Sequence, residues 1–329
     1  MRRILSFIIL FCLISCSKND SKENLPISTG NYNHVLITIN DNLWQGNVGD
    51  SIRNYLAAYL DRIVPFEPLF SLEHITPNQF SGHNKLARNI IVFSDNHNEM
   101  IYNIEKNKFS NPQNYIVVLA DSKENLITNF VSNVDSIIKA VHLTELEAFQ
   151  NALNHEVLHK EDLISSPFNV NIQLPLSFKL VQKGKDFRWF KKDVASGSSS
   201  VLFYAVPTER IESNAINKSI LNAILEAKDS VSGKYLHSIE EGSYMKTNEG
   251  FTPFNTNVDI NGVSALEIKG IWDMEKSFMS GPYITYVFKD NTTNRYLFIE
   301  GLVYNPSMNK RDMLLELEAI IKTAKLKEY

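Results

Sequence analysis

Short, nearly continuous apolar runs recur in the first third of the chain. His34 to Asn40 (HVLITIN), Arg88 to Ser94 (RNIIVFS) and Tyr115 to Ala120 (YIVVLA) each predict a strand, the latter two covered on both faces. After the first run, Gly46 and Gly49 lead into a predicted helix capped by Asp50, with Ile52, Leu56 and Leu60 along one face. From Ser122 to about Asp162 the spacing of apolar residues becomes helical. Leu126, Phe130, Val134, Ile137 and Ile138 mark one helix, and Leu143, Leu146, Phe149, Leu153 and Val157 a second. Ser165-Ser166-Pro167 interrupts this pattern and predicts a boundary between two halves.

Beyond Pro167 the strands become more numerous. They are predicted at Val170 to Gln173, Phe178 to Val181, Phe187 to Phe190 and Val201 to Val206, with a loop over Ser196 to Ser200. One amphipathic helix follows, carrying Ile216, Ile220, Ile224 and Ala227 on a face. Asn261-Gly262, between Asn257 to Ile260 and Val263 to Ile268, is a hairpin signal because both residues tolerate the positive φ of a type I′ turn. A second hairpin at Asp290 to Asn294 joins Tyr283 to Lys289 with Arg295 to Val303. The chain closes in a helix after Pro306, whose stripe of Met313, Leu317, Ile320, Ile321 and Ala324 is expected to cover the sheet. The expected class is α+β, antiparallel sheets covered by amphipathic helices, with the C-terminal part resembling an α-β sandwich under a final helix.

The N-terminus changes this picture. Met1, Arg2 and Arg3 precede an apolar run from Ile4 to Ile14 broken only by Ser6, too short for a bilayer span of roughly 20 residues but suited to a signal peptide. It ends in Leu13-Ile14-Ser15-Cys16, which resembles a bacterial lipobox, and the resemblance implies cleavage before Cys16 and lipid on its thiol. The expected organisation is a signal peptide over residues 1–15, a lipidated cysteine and polar tether over 16–32, an N-terminal α/β half over 33–165 and a C-terminal α+β half over 166–329. Cys12 and Cys16 are the only cysteines in 329 residues, so the exported fold rests on its core and not on disulfides. The net charge of -4 offers no basic footprint for nucleic acid. The expected setting is therefore the cell envelope, at the outer membrane and facing the periplasm or the outside, with the lipid on Cys16 as membrane contact and an envelope protein or small ligand as partner.

One motif carries recognisable chemistry. His155-Glu156-Val157-Leu158-His159 matches H-E-x-x-H, in which a helix presents two imidazoles to zinc and the glutamate activates water. Lys160 and Glu161 follow where an uncharged and then an apolar residue are usual, and a third ligand would have to come from Glu161, Asp162 or a distant carboxylate. On a helix, both histidines would also face away from the stripe of Leu146, Phe149, Leu153 and Val157. A solvated helix face is the preferred reading, a zinc-dependent hydrolase the alternative, and no cofactor is expected. Glycine-rich phosphate or dinucleotide loops and a G-x-S-x-G elbow are absent from the sequence. Trp44, Phe187-Arg188-Trp189 and Trp272 are read as core aromatics, with a binding cleft as the other option. Glu240-Glu241 is read as a solvated turn, and Lys310-Arg311 as the first turn of the last helix with a partner contact as the alternative.

The punctuation of the chain adds a resemblance. Asp41-Asn42-Leu43-Trp44 with Gly49-Asp50, Glu67-Pro68-Leu69-Phe70, Arg88-Asn89-Ile90-Ile91, Asn111-Pro112-Gln113, Lys185 to Trp189, Glu241 to Met245, Gly270 to Met274, Gly281-Pro282 and Glu300 to Pro306 together resemble the domain-of-unknown-function family 4837, lipoproteins of Bacteroidota. The resemblance runs from about Asn33 to the C-terminus and implies no established activity. The last third also looks like the α-β sandwich of the extrinsic photosystem II oxygen-evolving subunit. That analogy favours a scaffold or docking role over chemistry.

Overall fold

The computed structural model describes residues 25–59, 67–216 and 218–327. The first half is built on a five-stranded sheet. In chain order its elements are β1 (His34–Thr38), α1 (Asp41–Trp44), α2 (Asn47–Leu56), β2 (Ser71–Ile75), β3 (Asn89–Ser94), β4 (Ile101–Lys106), β5 (Asn114–Leu119) and α3 (Lys123–Leu153). The sheet order is β2-β1-β3-β5-β4, with β1, β2, β3 and β5 parallel and β4 antiparallel at the edge. Alternation along β1 sends Val35 and Ile37 toward α2 and α3, while Leu36 joins Ile75 and Ile90 on the other face. Helix α2 begins at Asn47, so Asp50 lies inside its first turn and is not the predicted cap. Leu60 lies outside the described residues.

The two helices expected between Ser122 and Asp162 are a single helix of 31 residues, α3. Ser122 caps its start by accepting from the N–H of Asn125, and no glycine or proline between 123 and 153 interrupts it. The buried stripe serves two cores in succession. Leu126, Phe130, Val134, Ile137 and Val141 pack on the five-stranded sheet, whereas Leu153 belongs to the core of the second half. Past Leu153 the backbone leaves the helix for strand-like pairing: the N–H of His159 donates to Leu174 O and that of Leu176 to Val157 O. Val157, expected on the core stripe, is therefore 72% exposed.

The second half continues through α4 (Ser165–Phe168), β6 (Val170–Asn171), β7 (Lys179–Lys183), β8 (Phe187–Val194), β9 (Gly197–Pro207), α5 (Thr208–Ala215), α6 (Ile220–Tyr235), β10 (Tyr244–Thr247), β11 (Phe254–Ile260), β12 (Val263–Glu275), β13 (Ser280–Asp290), β14 (Arg295–Tyr304), α7 (Arg311–Ile321) and β15 (Lys325–Leu326). Eight of these strands form an antiparallel sheet ordered β10-β12-β13-β14-β9-β8-β7, with β11 also paired to β12. The chain is thus an α+β protein. Asn261 and Gly262 turn β11 into β12 at φ values of 52° and 87°, as the hairpin signal predicted.

Two sequence expectations fail here for local reasons. Ser198 to Ser200 form no loop; they lie in β9, paired with β14, because Gly197 and the small serines let the strand run close against Tyr304. The helix expected over Ile216 to Ala227 starts only at Ile220: α5 ends at Ala215 and Ser219 caps α6, which leaves Ile216 80% exposed in the connection. One face of the large sheet packs Ile284, Ile299 and Val303 against Leu317, Ile320 and Ile321 of α7. The opposite face packs Leu202, Phe298 and Leu302 against Ile211 of α5 and Ile224 of α6. Ser165-Ser166-Pro167, expected as a break, forms the short helix α4.

Candidate ligand-binding cleft

The start of α7 is where the two halves are joined. The backbone N–H groups of Lys310 and Arg311 donate to the two carboxylate oxygens of buried Glu67 at 2.7 and 2.9 Å, so an acid from the first half caps a helix of the second. The Arg311 guanidinium donates to Pro68 O at 3.0 Å and to Ser71 Oγ at 3.3 Å, and Asn33 Nδ2 donates to Asp312 at 2.8 Å. Lys310 is only 2% exposed. Lys310 and Arg311, read as the first turn of the last helix, are its N-cap and first residue, and what they contact is this same chain.

Beside this junction lies a cleft of about 440 Å³. Its floor is the α7-facing side of the large sheet at Pro282 and Ile284. One wall is α7, through Leu314 and Leu315; another is α3, through Ile138; Leu69 and Phe70 close one end, and half-exposed Phe254 stands at the rim. Carbon dominates the lining, and the volume falls in the range of small-molecule pockets.

The polar residues of the cleft are bound to one another. Glu318 of α7 receives His142 Nε2 at 2.9 Å, Lys322 Nζ at 2.5 Å and Lys269 Nζ at 3.4 Å. Burial alone would raise its pKa, but His142 and Lys269, with Lys322, hold the carboxyl well below the usual carboxylate range. Lys269 also reaches Glu267 at 3.1 Å, and Glu267 in turn accepts the hydroxyl of Tyr286 at 2.6 Å. Burial works against the charge on Lys269, yet Glu318 and Glu267 outweigh it and keep its pKa above the ordinary lysine value. Chemically, this arrangement offers an apolar surface with an ionic edge and presents no nucleophile paired with a base.

A second ionic group is sealed inside the other layer. Lys228 of α6 and Glu300 of β14 have no exposed surface and meet at 3.2 Å. Tyr204 donates its hydroxyl to Glu300 at 2.8 Å, and the Lys228 ammonium lies 4.2 Å from the centre of the Tyr283 ring. Burial presses the Lys228 pKa down, but Glu300, Tyr283 and Asp229 together raise it above that of a free lysine. With both ions fully enclosed, this pair holds α6 onto the sheet.

The motif His155 to His159 does not sit on a helix. His155 and Glu156 are exposed in the turn after α3, and His159 is half-buried with its ring edge against Phe190. His159 Nε2 lies 2.5 Å from the carbonyl oxygen of Phe178. A carbonyl can only accept, so this nitrogen carries hydrogen and has no lone pair for a metal. Among the described residues, no group of three or more His, Cys, Asp or Glu side chains is placed to hold a metal ion. Asp162 is exposed nearby, and Cys16 lies outside the described residues. The aromatic candidates are scattered: Trp44 stacks on His74 in the first half, while Trp272 is buried in the α6-facing core with Phe187, against which Trp189 packs. Glu240 and Glu241 are exposed in a turn.

The sequence model of the family described as Domain of unknown function (DUF4837) matches residues 157–323. The chain belongs to this family. The DUF4837 region carries the eight-stranded sheet and α7, and thus the floor and one wall of the cleft. Residues 28–154 match a second model, Domain of unknown function (DUF8532), and contribute Leu69, Phe70, Ile138 and His142 to the same cleft. No curated protein matches. Among solved structures, the Saccharomyces cerevisiae Ran-binding protein Mog1p is similar at 7% identity over 48% of this chain and 90% of that one, with a TM-score of 0.31. A likeness that loose carries no argument.

His142, Lys269 and Glu318 did not stand out in the sequence. The available signal was charge inside apolar elements: Glu267 and Lys269 alternate with Leu266 and Ile268 and precede Ile271 in a largely buried strand.

Proposed function

We propose that this protein is a lipid-anchored component of the cell envelope that binds a small apolar ligand in the cleft between its two halves, without transforming it. The observation that carries the reading is the cleft itself: a carbon-lined space of about 440 Å³ whose charged groups are gathered in ion pairs along one edge. Such a lining gains from excluding water and presents no group poised for bond making. The lipobox-like Leu13 to Cys16 and the polar stretch after it support anchoring on a membrane through lipid. Among the described residues, no helix is long and apolar enough to cross a membrane.

The test uses the chain from Ser17 onward, which retains every described residue, titrated with the neutral fluorophore N-phenyl-1-naphthylamine. Saturable binding at one site, lost when Leu314→Trp fills the cleft, is the expected result. Binding that survives Leu314→Trp unchanged overturns the assignment of the cleft. Anchoring is read separately, from incorporation of labelled palmitate that disappears in Cys16→Ser.

A further inference from the structure

The ionic edge of the cleft is asymmetric in depth. Its carboxylates lie beneath, with the side chains of Glu318 and Glu267 only 6% and 7% exposed, while the cations above them, His142 and Lys269, are 36% and 39% exposed. In a chain that is acidic overall, the charge that this cleft shows to an incoming molecule is therefore positive.

The cations of this edge gather on two carboxylates. His142, Lys269 and Lys322 converge on Glu318, and Glu267 is the further carboxylate within reach of Lys269. Lys269 has three N–H donors and two carboxylate partners, which leaves a donor for the open side. Its neighbour across β12 and β13 is Ile284, so the free ammonium stands at the edge of the apolar floor. From there Ile284, Pro282 and Leu314 continue the carbon surface. Arg311, in the same lining, directs four of its five N–H donors to Pro68 O, Ser71 and Asp312.

Resting on the cleft reading above, we infer that the ligand is a single-chain amphiphile with an anionic head, a long-chain carboxylate: its carboxylate meets Lys269 and His142 at the ionic edge, and its alkyl chain lies over Pro282 and Ile284 against Leu314. A carboxylate supplies the acceptor that the exposed ammonium lacks, and charge-assisted hydrogen bonds of this kind are the stronger ones. The alkyl chain supplies the apolar area that the floor would otherwise expose to water.

The test compares laurate with 1-dodecanol, equal in chain length and differing in charge, by titration calorimetry on the chain from Ser17 onward below the micellar range. Laurate is expected to bind about tenfold more tightly, the ratio one charge-assisted hydrogen bond supplies. The ratio is expected to shrink toward one in Lys269→Gln while dodecanol still binds, which also shows that the variant is folded. If that variant does not fold, raising the salt on the unaltered protein is expected to narrow the same ratio. Equal binding of the two ligands, or tighter binding of the alcohol, overturns the anionic head and leaves the apolar cleft standing. Binding of neither overturns both.

Discussion

Replacing Glu318 by glutamine removes the charge on which α3, β12 and α7 converge while preserving volume and an acceptor oxygen. The carboxylate is buried, but its partners His142, Lys269 and Lys322 are between 24% and 39% exposed, so solvent screens each contact. Screened pairs of this kind contribute about 0.5–1 kcal/mol each, and the three together amount to about 2 kcal/mol at pH 7. The sign of the pH dependence follows from the direction of the shift. The folded pKa lies well below the unfolded value, about 4.3 for a glutamate, so the stabilisation is fully present above that value. It is lost as pH falls through the folded pKa. Urea unfolding of both proteins, followed by tryptophan fluorescence, is expected to show a gap of about 2 kcal/mol at pH 7 that narrows toward pH 3. A gap below about 0.5 kcal/mol at pH 7 would refute the pairing argument. A gap of equal size at both pH values would mean that glutamine perturbs packing and that the charge is incidental.

Three further outcomes are expected. Lys228→Met leaves Glu300 buried with Tyr204 as its remaining partner and should cost about 3–5 kcal/mol in urea unfolding, most of it recovered when Glu300→Gln is added. Gly301→Ala places a Cβ 2.9 Å from the Leu317 Cβ and 3.2 Å from Ile284 Cγ2; because α7 must shift to admit it, a loss of about 1–3 kcal/mol and weaker fluorophore binding should appear together. Replacing His155 and His159 together by alanine should leave the zinc content of the purified chain at background by elemental analysis, and a full equivalent of zinc lost in the variant would restore the metal reading.

The predicted strands and hairpins were legible because their information is local. A β-branched run such as HVLITIN, the Asn261-Gly262 pair with its positive φ values, and the stripe of Leu317, Ile320 and Ile321 each encode an element within a dozen residues. The same local reading misplaced the end of α3. Helical spacing continues through Val157, and only pairing with residues 174 and 176, far along the chain, decides that the backbone leaves the helix after Leu153 and strips the H-E-x-x-H motif of its geometry. Ser198 to Ser200 are a similar case, since a serine run reads as loop until β14 supplies the neighbouring strand.

The cleft is a product of long-range contacts throughout. Glu67 caps a helix that begins at residue 311, His142 meets Glu318, and Lys269 joins a strand to that same glutamate. Patterning along the chain specifies which residues are apolar and therefore which elements form, because burial of a periodic face is a property of a short segment. Which charges are brought together, and whether Lys310 and Arg311 face solvent or a partner surface of their own chain, is settled only when the two sheets pack, since Coulomb and hydrogen-bond energies depend on distances that sequence separation does not encode.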